Sequence, residues 1–182
     1  MKKKAVVILM VAFIVGLVLS RIGHASLTDG LVAYYPFNGN ANDESGYGNH
    51  GTVYGATLAV DRFGNLNKAY NFNGIDNYIK ASAENLPTGD RTVSLWFKAD
   101  DLNSGPVLLG YGGSDCGQSW FMAINHSETP NTYHLESHCN INQLDYQYAQ
   151  DPRGIWYNWV ITTSSSGTHI YINGIRLTSN CQ

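Results

Sequence analysis

Seven oxygen-bearing side chains, those of Asn38, Asn40, Asn42, Asp43, Glu44, Ser45 and Asn49, lie within twelve residues, and Gly46, Gly48 and Gly51 spell a G-x-G-x-x-G across the same stretch. Such a composition could cradle a phosphate, hold a hard cation or turn the chain. A dinucleotide loop must leave a strand and enter a helix whose N-terminus carries the pyrophosphate. Here the glycines run into Thr52-Val53-Tyr54-Gly55-Ala56-Thr57, which is strand material, so the context excludes a nucleotide. A calcium loop needs clustered side-chain and carbonyl oxygens, which this stretch supplies. It is not an EF-hand, because the sixth position counted from Asn38 is Asp43 rather than glycine and the twelfth is Asn49 rather than glutamate. Glycine's freedom to take positive φ and asparagine's tolerance of it also make a tight surface turn. Cation loop and turn both stay open at this level.

Catalytic patterns are sparse. No G-x-S-x-G is present, and Gly113-Ser114-Asp115 lacks the spacing of a nucleophile elbow. His50, His126, His134, His138 and His169 are scattered. His134 and His138, four apart, would share one face of a strand, either as neighbours on a sheet surface or as metal ligands. Recognition chemistry is richer. Sugar rings offer apolar faces to aromatic planes and hydroxyls to polar side chains. The segment from Tyr111 to Tyr148 holds both kinds, in Tyr111, Asp115, Trp120, Tyr133, His134, His138, Asn140, Asn142, Tyr146 and Tyr148. Alternation assigns Tyr146 and Tyr148 to one face of their strand and Asp145 and Gln147 to the other. Several of these aromatics could instead be core, but as a group they are the candidate ligand surface.

The N-terminus reads as an export signal. Lys2, Lys3 and Lys4 precede an uncharged, mostly apolar run from Ala5 to Leu19, and Gly23-His24-Ala25 suits cleavage before Ser26. The run is shorter than the ~20 residues of a spanning helix, so the expected mature protein is secreted or held at the cell surface without a membrane span. Residues 26–182 are enough for one domain. Cleavage would remove Lys2, Lys3, Lys4 and Arg21, leaving 7 Lys and Arg against 14 Asp and Glu, a net charge of −7. That balance excludes nucleic acid as a partner, because phosphate binding needs a basic face. Cys116, Cys139 and Cys181 would meet an oxidising compartment. A Cys116–Cys139 bridge would contribute about 3 kcal/mol in the chain-entropy model and leave Cys181 odd, although connectivity is not readable from spacing.

The positioning elements read as short strands. In Arg91-Thr92-Val93-Ser94-Leu95-Trp96-Phe97-Lys98, Val93, Leu95 and Phe97 share one face, while Trp96 falls on the polar side. Ile155–Thr163 is apolar on both faces, as a central strand requires, and Asn173-Gly174 between two apolar runs predicts a two-residue hairpin. Further strands are expected at Leu31–Phe37, Ala69–Phe72, Tyr78–Ala81, Val107–Gly110, Ser119–Asn125, Tyr133–Ser137 and Leu144–Tyr148. Regular strands with Gly, Asn and Asp between them, and no helical periodicity after residue 25, predict an all-β sandwich.

Five ordered stretches carry a family likeness: Gly30–Asp43, Ser45–Gly51, Asn71–Ile79, Val93–Lys98, and Trp156–Val160 with Ile170–Gly174. Together they resemble the laminin G-like domains of the concanavalin A-like lectin and glucanase superfamily across roughly residues 27–178. The resemblance implies a jelly-roll sandwich of two antiparallel sheets and a non-catalytic module that binds glycans or extracellular proteins, often with calcium. It maps calcium ligands onto Asp43 and the carbonyls near Asn49 and His50. Catalytic members of the superfamily carry an E-x-D-x-x-E or similar run on one strand; here Glu128 and Glu136 are isolated and Asp100-Asp101 sits in a turn, so an enzyme is not expected. Family members also continue past the Asn-Gly hairpin, whereas this sequence reaches Gln182 a few residues after it. The expectation is therefore a sandwich lacking its last strands, whose open edge a partner strand or a second copy would complete.

Overall fold

Alternation along Arg91–Phe97 puts Val93, Leu95 and Phe97 against one apolar interior and leaves Thr92, Ser94 and Trp96 exposed. In the computed structural model, residues 26, 28–102, 106–112, 119–126, 129–137, 143–148 and 151–178 are described. They form twelve strands and no helix: β1 Thr52–Tyr54, β2 Thr57–Ala59, β3 Ala69–Asn71, β4 Tyr78–Lys80, β5 Arg91–Phe97, β6 Val107–Gly112, β7 Ser119–His126, β8 Thr129–Ser137, β9 Gln143–Gln147, β10 Tyr157–Ser164, β11 Gly167–Ile172 and β12 Ile175–Arg176. The expected signal segment 1–25 lies outside the described residues, as do Asp115, Cys116, His138, Cys139 and Cys181. Among the described residues, no helix is long and apolar enough to cross a membrane.

The chain divides into two compact units, Met1–Leu31 and Val32–Gln182. In the first, the described residues form a turn: the Asp29 amide donates to the Ser26 carbonyl (3.0 Å) and the Ser26 amide to Asp29 Oδ2 (2.8 Å). The second contains all twelve strands. One four-stranded antiparallel sheet runs β12-β11-β10-β5 and the other β6-β7-β8-β9; β1 pairs with β4 and β2 with β3. Central β10 is hydrogen-bonded on both sides, with Trp159 opposite Leu95 on β5 and Ile172 on β11. The central place is as expected, while the cover expected on both faces is seen on the Trp159 and Ile161 face, which packs on the second sheet. The Asn173-Gly174 hairpin joins β11 to β12 with φ of 50° and 79°, the positive pair that a two-residue turn of this hand requires.

The two four-stranded sheets meet over one core. Phe97, Trp159, Ile161, Ile170 and Ile172 from the first pack against Met122, Ile124, Tyr133 and Leu135 from the second. Trp159, 0% exposed, is the centre: its ring lies 5.4 Å from Tyr133 and 6.1 Å from Phe97. A register shift between Val107 and Leu109 in β6 lets both Leu108 and Leu109 reach this interior. Burying a side chain of this class contributes about 1.5–3 kcal/mol, so the layer contact dominates stability. Trp159 Nε1 has no hydrogen-bond partner among the described residues, a cost accepted at the densest point of the packing.

One expected strand is absent. Leu31–Phe37 pairs with no ladder, because Pro36 has no amide to donate, Phe37 takes φ 53°, and Tyr34 uses its backbone on the neighbouring loop instead. Replacing Trp159 with Ala should lower the unfolding free energy by about 3–5 kcal/mol. Trp96→Ala, on the outer face of the same sheet, should cost about 1 kcal/mol or less. Urea unfolding followed by circular dichroism measures both.

Candidate functional site

The oxygen-rich loop closes on Asp43. Its carboxylate is 5% exposed. Oδ1 accepts the amides of Tyr34 (2.9 Å) and Ser45 (2.9 Å), and Oδ2 accepts the Ser45 hydroxyl (2.9 Å) and the Asn49 amide (3.0 Å). The Asp43 amide donates to His50 Nδ1 (3.1 Å), and the Tyr35 hydroxyl donates to the Asn49 carbonyl (2.6 Å). Burial by the loop's own backbone would raise the carboxyl, but the donors of Ser45, Tyr34 and Asn49 outweigh it and hold Asp43 at about 2. The third glycine has a packing reason: a Cβ on Gly51 would sit 2.7 Å from Ile79 Cγ2 and 3.0 Å from the Ala41 carbonyl oxygen. The loop then enters strand β1, not a helix.

Four protein donors reach the Asp43 carboxylate, and the Asn49 carbonyl, one of the oxygens that the resemblance assigns to calcium, accepts the Tyr35 hydroxyl. Among the described residues, no three of His, Cys, Asp and Glu gather as metal ligands. Asp43 is a tie that fixes the loop.

Among the described side chains of the expected ligand segment, Tyr133, Tyr146 and Tyr148 lie on one face and His134 on the other. Tyr133 is 4% exposed and turned into the core, where burial first and then Tyr157 and Tyr148 push its hydroxyl up to about 12. Tyr146 sits opposite it on β9 and, with Tyr148, packs against that core; the Tyr148 ring lies 5.6 Å from Tyr133. The period of two was read correctly, but the tyrosines took the inward side because they bury the larger apolar area. His134 is on the opposite face, 1% exposed, with Nδ1 donating to Asp145 Oδ1 (2.7 Å) and the Phe121 ring 5.7 Å away. Tyr111 of β6 and Trp120 of β7 are backbone partners in the same sheet.

The open aromatic surface lies on the other sheet, outside that segment. Outward positions there are Thr92, Ser94 and Trp96 on β5, Asn158, Val160 and Thr162 on β10, His169 and Tyr171 on β11, and Arg176 on β12, set side by side by the strand register. Trp96 is 46% exposed. Arg62, from the loop between β2 and β3, lays its guanidinium 4.4 Å from the Trp96 ring centre and 4.2 Å from that of Phe63. That loop is held by Asp61, which accepts the amides of Phe63 (2.8 Å) and Asn65 (2.9 Å) at Oδ1 and Asn65 Nδ2 (3.0 Å) at Oδ2. Lys98 reaches to 5.9 Å from the Trp156 ring centre, and Asn158 Nδ2 donates to Ser94 Oγ (3.2 Å). The sequence signal for this face was a tryptophan on the polar side of an alternating strand. Its partner Arg62 is 34 residues away and gave no signal.

A family model described as the concanavalin A-like lectin/glucanases superfamily matches residues 73–180. Among solved structures, the chain is similar to domain 4 of AbnA, a GH43 extracellular arabinanase from Geobacillus stearothermophilus, in complex with arabinotriose, at 21% identity and a TM-score of 0.58. That match covers 84% of this chain and 76% of the other. No curated protein sequence matches.

Because the native carboxyl of Asp43 sits below its unfolded value near 4, its contribution to stability is complete above about pH 4 and is lost as pH falls toward 2. The stability gap between wild type and Asp43→Asn should therefore be widest at neutral pH and narrow between pH 4 and 2, as read by urea unfolding at each pH. A calcium chelator should leave the melting temperature unchanged; a fall of several degrees, about what loss of a bound ligand produces, would return a cation to this loop.

Proposed function

The chain belongs to the concanavalin A-like lectin/glucanase superfamily, and from that premise we propose that it is an exported, non-catalytic module that binds glycan. One observation carries the reading: Trp96 stands half exposed on a sheet face, stacked by Arg62 and flanked by the hydroxyl of Ser94 and the amide of Asn158. An indole plane receives the apolar face of a sugar ring, and the adjoining polar groups take its hydroxyls. Strands hold Trp96, Ser94 and Asn158, so this part of the platform is formed before ligand arrives and little ordering cost opposes binding.

Four of the described carboxylates favour a binding module over a hydrolase. Asp43 and Asp61 tie their own loops, Asp145 holds His134, and Asp151 is paired with Arg153. Each is committed to local structure, whereas glycoside cleavage needs two carboxyls facing one cleft. The arabinotriose complex of the AbnA domain supports a saccharide ligand, and the Lys-rich, apolar N-terminus supports export.

A panel of neutral and acidic oligosaccharides, with arabinotriose among them, tests the reading by titration calorimetry. Wild type should bind at least one, and Trp96→Ala should weaken that binding about tenfold or more, the ~1.4 kcal/mol of a lost stacking contact. Absence of binding across the panel would overturn it.

A further inference from the structure

Resting on the glycan-binding reading, we infer that the Trp96 face selects anionic glycan chains, whose sugar-borne carboxylate or sulfate groups pair with Arg62, Lys98 and Arg176. Past residue 25 the chain has 14 acidic residues for 7 Lys and Arg, so a basic side chain should find a carboxylate neighbour easily. Arg153 does, against Asp151. On this face the opposite holds: none of the outward positions of β5, β10, β11 and β12 is acidic.

Among the described residues, none of the three cations forms an ion pair. Arg62 lies over two aromatic rings, and, behind the Asn65 and Phe63 hydrogen bonds, its charge helps hold down the carboxyl of its sequence neighbour Asp61. The nearest acid in sequence, Asp61, has both oxygens turned to its own loop. Lys98 reaches to 5.9 Å from the Trp156 ring centre and forms no ion pair among the described residues. Arg176 donates to His169 Nδ1 (2.9 Å) and to no carboxylate. Stacking on an aromatic face leaves the edge of a guanidinium, with its planar fork of donors, pointing outward, and that fork matches a carboxylate or sulfate.

The layout suits a chain with spaced charges. Arg176 lies three strands from β5, about 14 Å at ~4.8 Å per strand, and Trp96 on β5 is 46% exposed. A few separated cations on a protein of net negative charge meet isolated charges on a sugar polymer; they do not meet the continuous phosphate of a nucleic acid, which needs a basic stripe.

Affinity electrophoresis in gels containing polygalacturonate, dextran sulfate or neutral arabinan tests this, at 50 mM and 500 mM salt. Polygalacturonate or dextran sulfate should retard the protein at least tenfold more strongly than arabinan, and high salt should weaken the retardation. Arg62→Gln and Lys98→Gln should each reduce it severalfold without changing the melting temperature. The stronger of the two anionic polymers identifies carboxylate or sulfate as the charged group. Equal binding to arabinan, indifferent to Arg62→Gln and Lys98→Gln, would overturn the inference while leaving the glycan-binding reading intact. Binding to none of the three overturns the inference, and the oligosaccharide panel then decides the reading separately. Retardation by a single-stranded oligonucleotide equal to that by polygalacturonate would also overturn it.

Discussion

The contact between Trp159 of β10 and Tyr133 of β8 is the point on which the remaining geometry depends. Both rings are buried, and they lock one sheet over the other. Strand side chains alternate, so the choice of which residues face this contact also chooses which face outward. With Trp159, Ile161, Leu95 and Phe97 inside, Asn158, Val160, Ser94 and Trp96 have to lie outside. The exposed tryptophan is thus a consequence of the buried one, transmitted through a register that a one-residue slip would invert.

The loops are fixed by a different means. Where strands are short, carboxylates take over the work of a ladder: Asp43 gathers four donors from Tyr34, Ser45 and Asn49, and Asp61 gathers three from Phe63 and Asn65. An ionised carboxylate accepting backbone amides stabilises a turn more than a neutral acceptor would. The oxygen-rich composition of the first loop serves its closure. In the second loop the same device positions Arg62 over Trp96, which joins an acidic tie to a basic, aromatic surface.

That surface gives the family's sandwich a distinct chemistry. Superfamily membership fixes two layers and the general expectation of recognition, but a fold hosts many ligands and the site decides among them. Here the Trp96 face joins a flat indole, amide and hydroxyl groups, and cations that form no ion pair among the described residues. The opposite sheet presents instead His134, buried against Asp145 and Phe121. The two outer faces of one sandwich are therefore chemically unlike.

By itself the sequence determined the all-β class, the alternation of β5, the central place of β10, the Asn173-Gly174 hairpin and the strand that follows the glycine motif. Each is a local property, legible because period, turn chemistry and the element following a loop act over a few residues. It misjudged Leu31–Phe37, whose backbone is claimed by Asp43 and Glu44, and it grouped Tyr133, Tyr146 and Tyr148 with His134 as one surface. Period two shows that two residues share a face without showing whether that face meets another sheet or solvent. Only packing of the second sheet decides that, and only tertiary structure could bring Arg62 across 34 residues onto Trp96, because the contact depends on where the β2–β3 loop lands and not on any spacing along the chain.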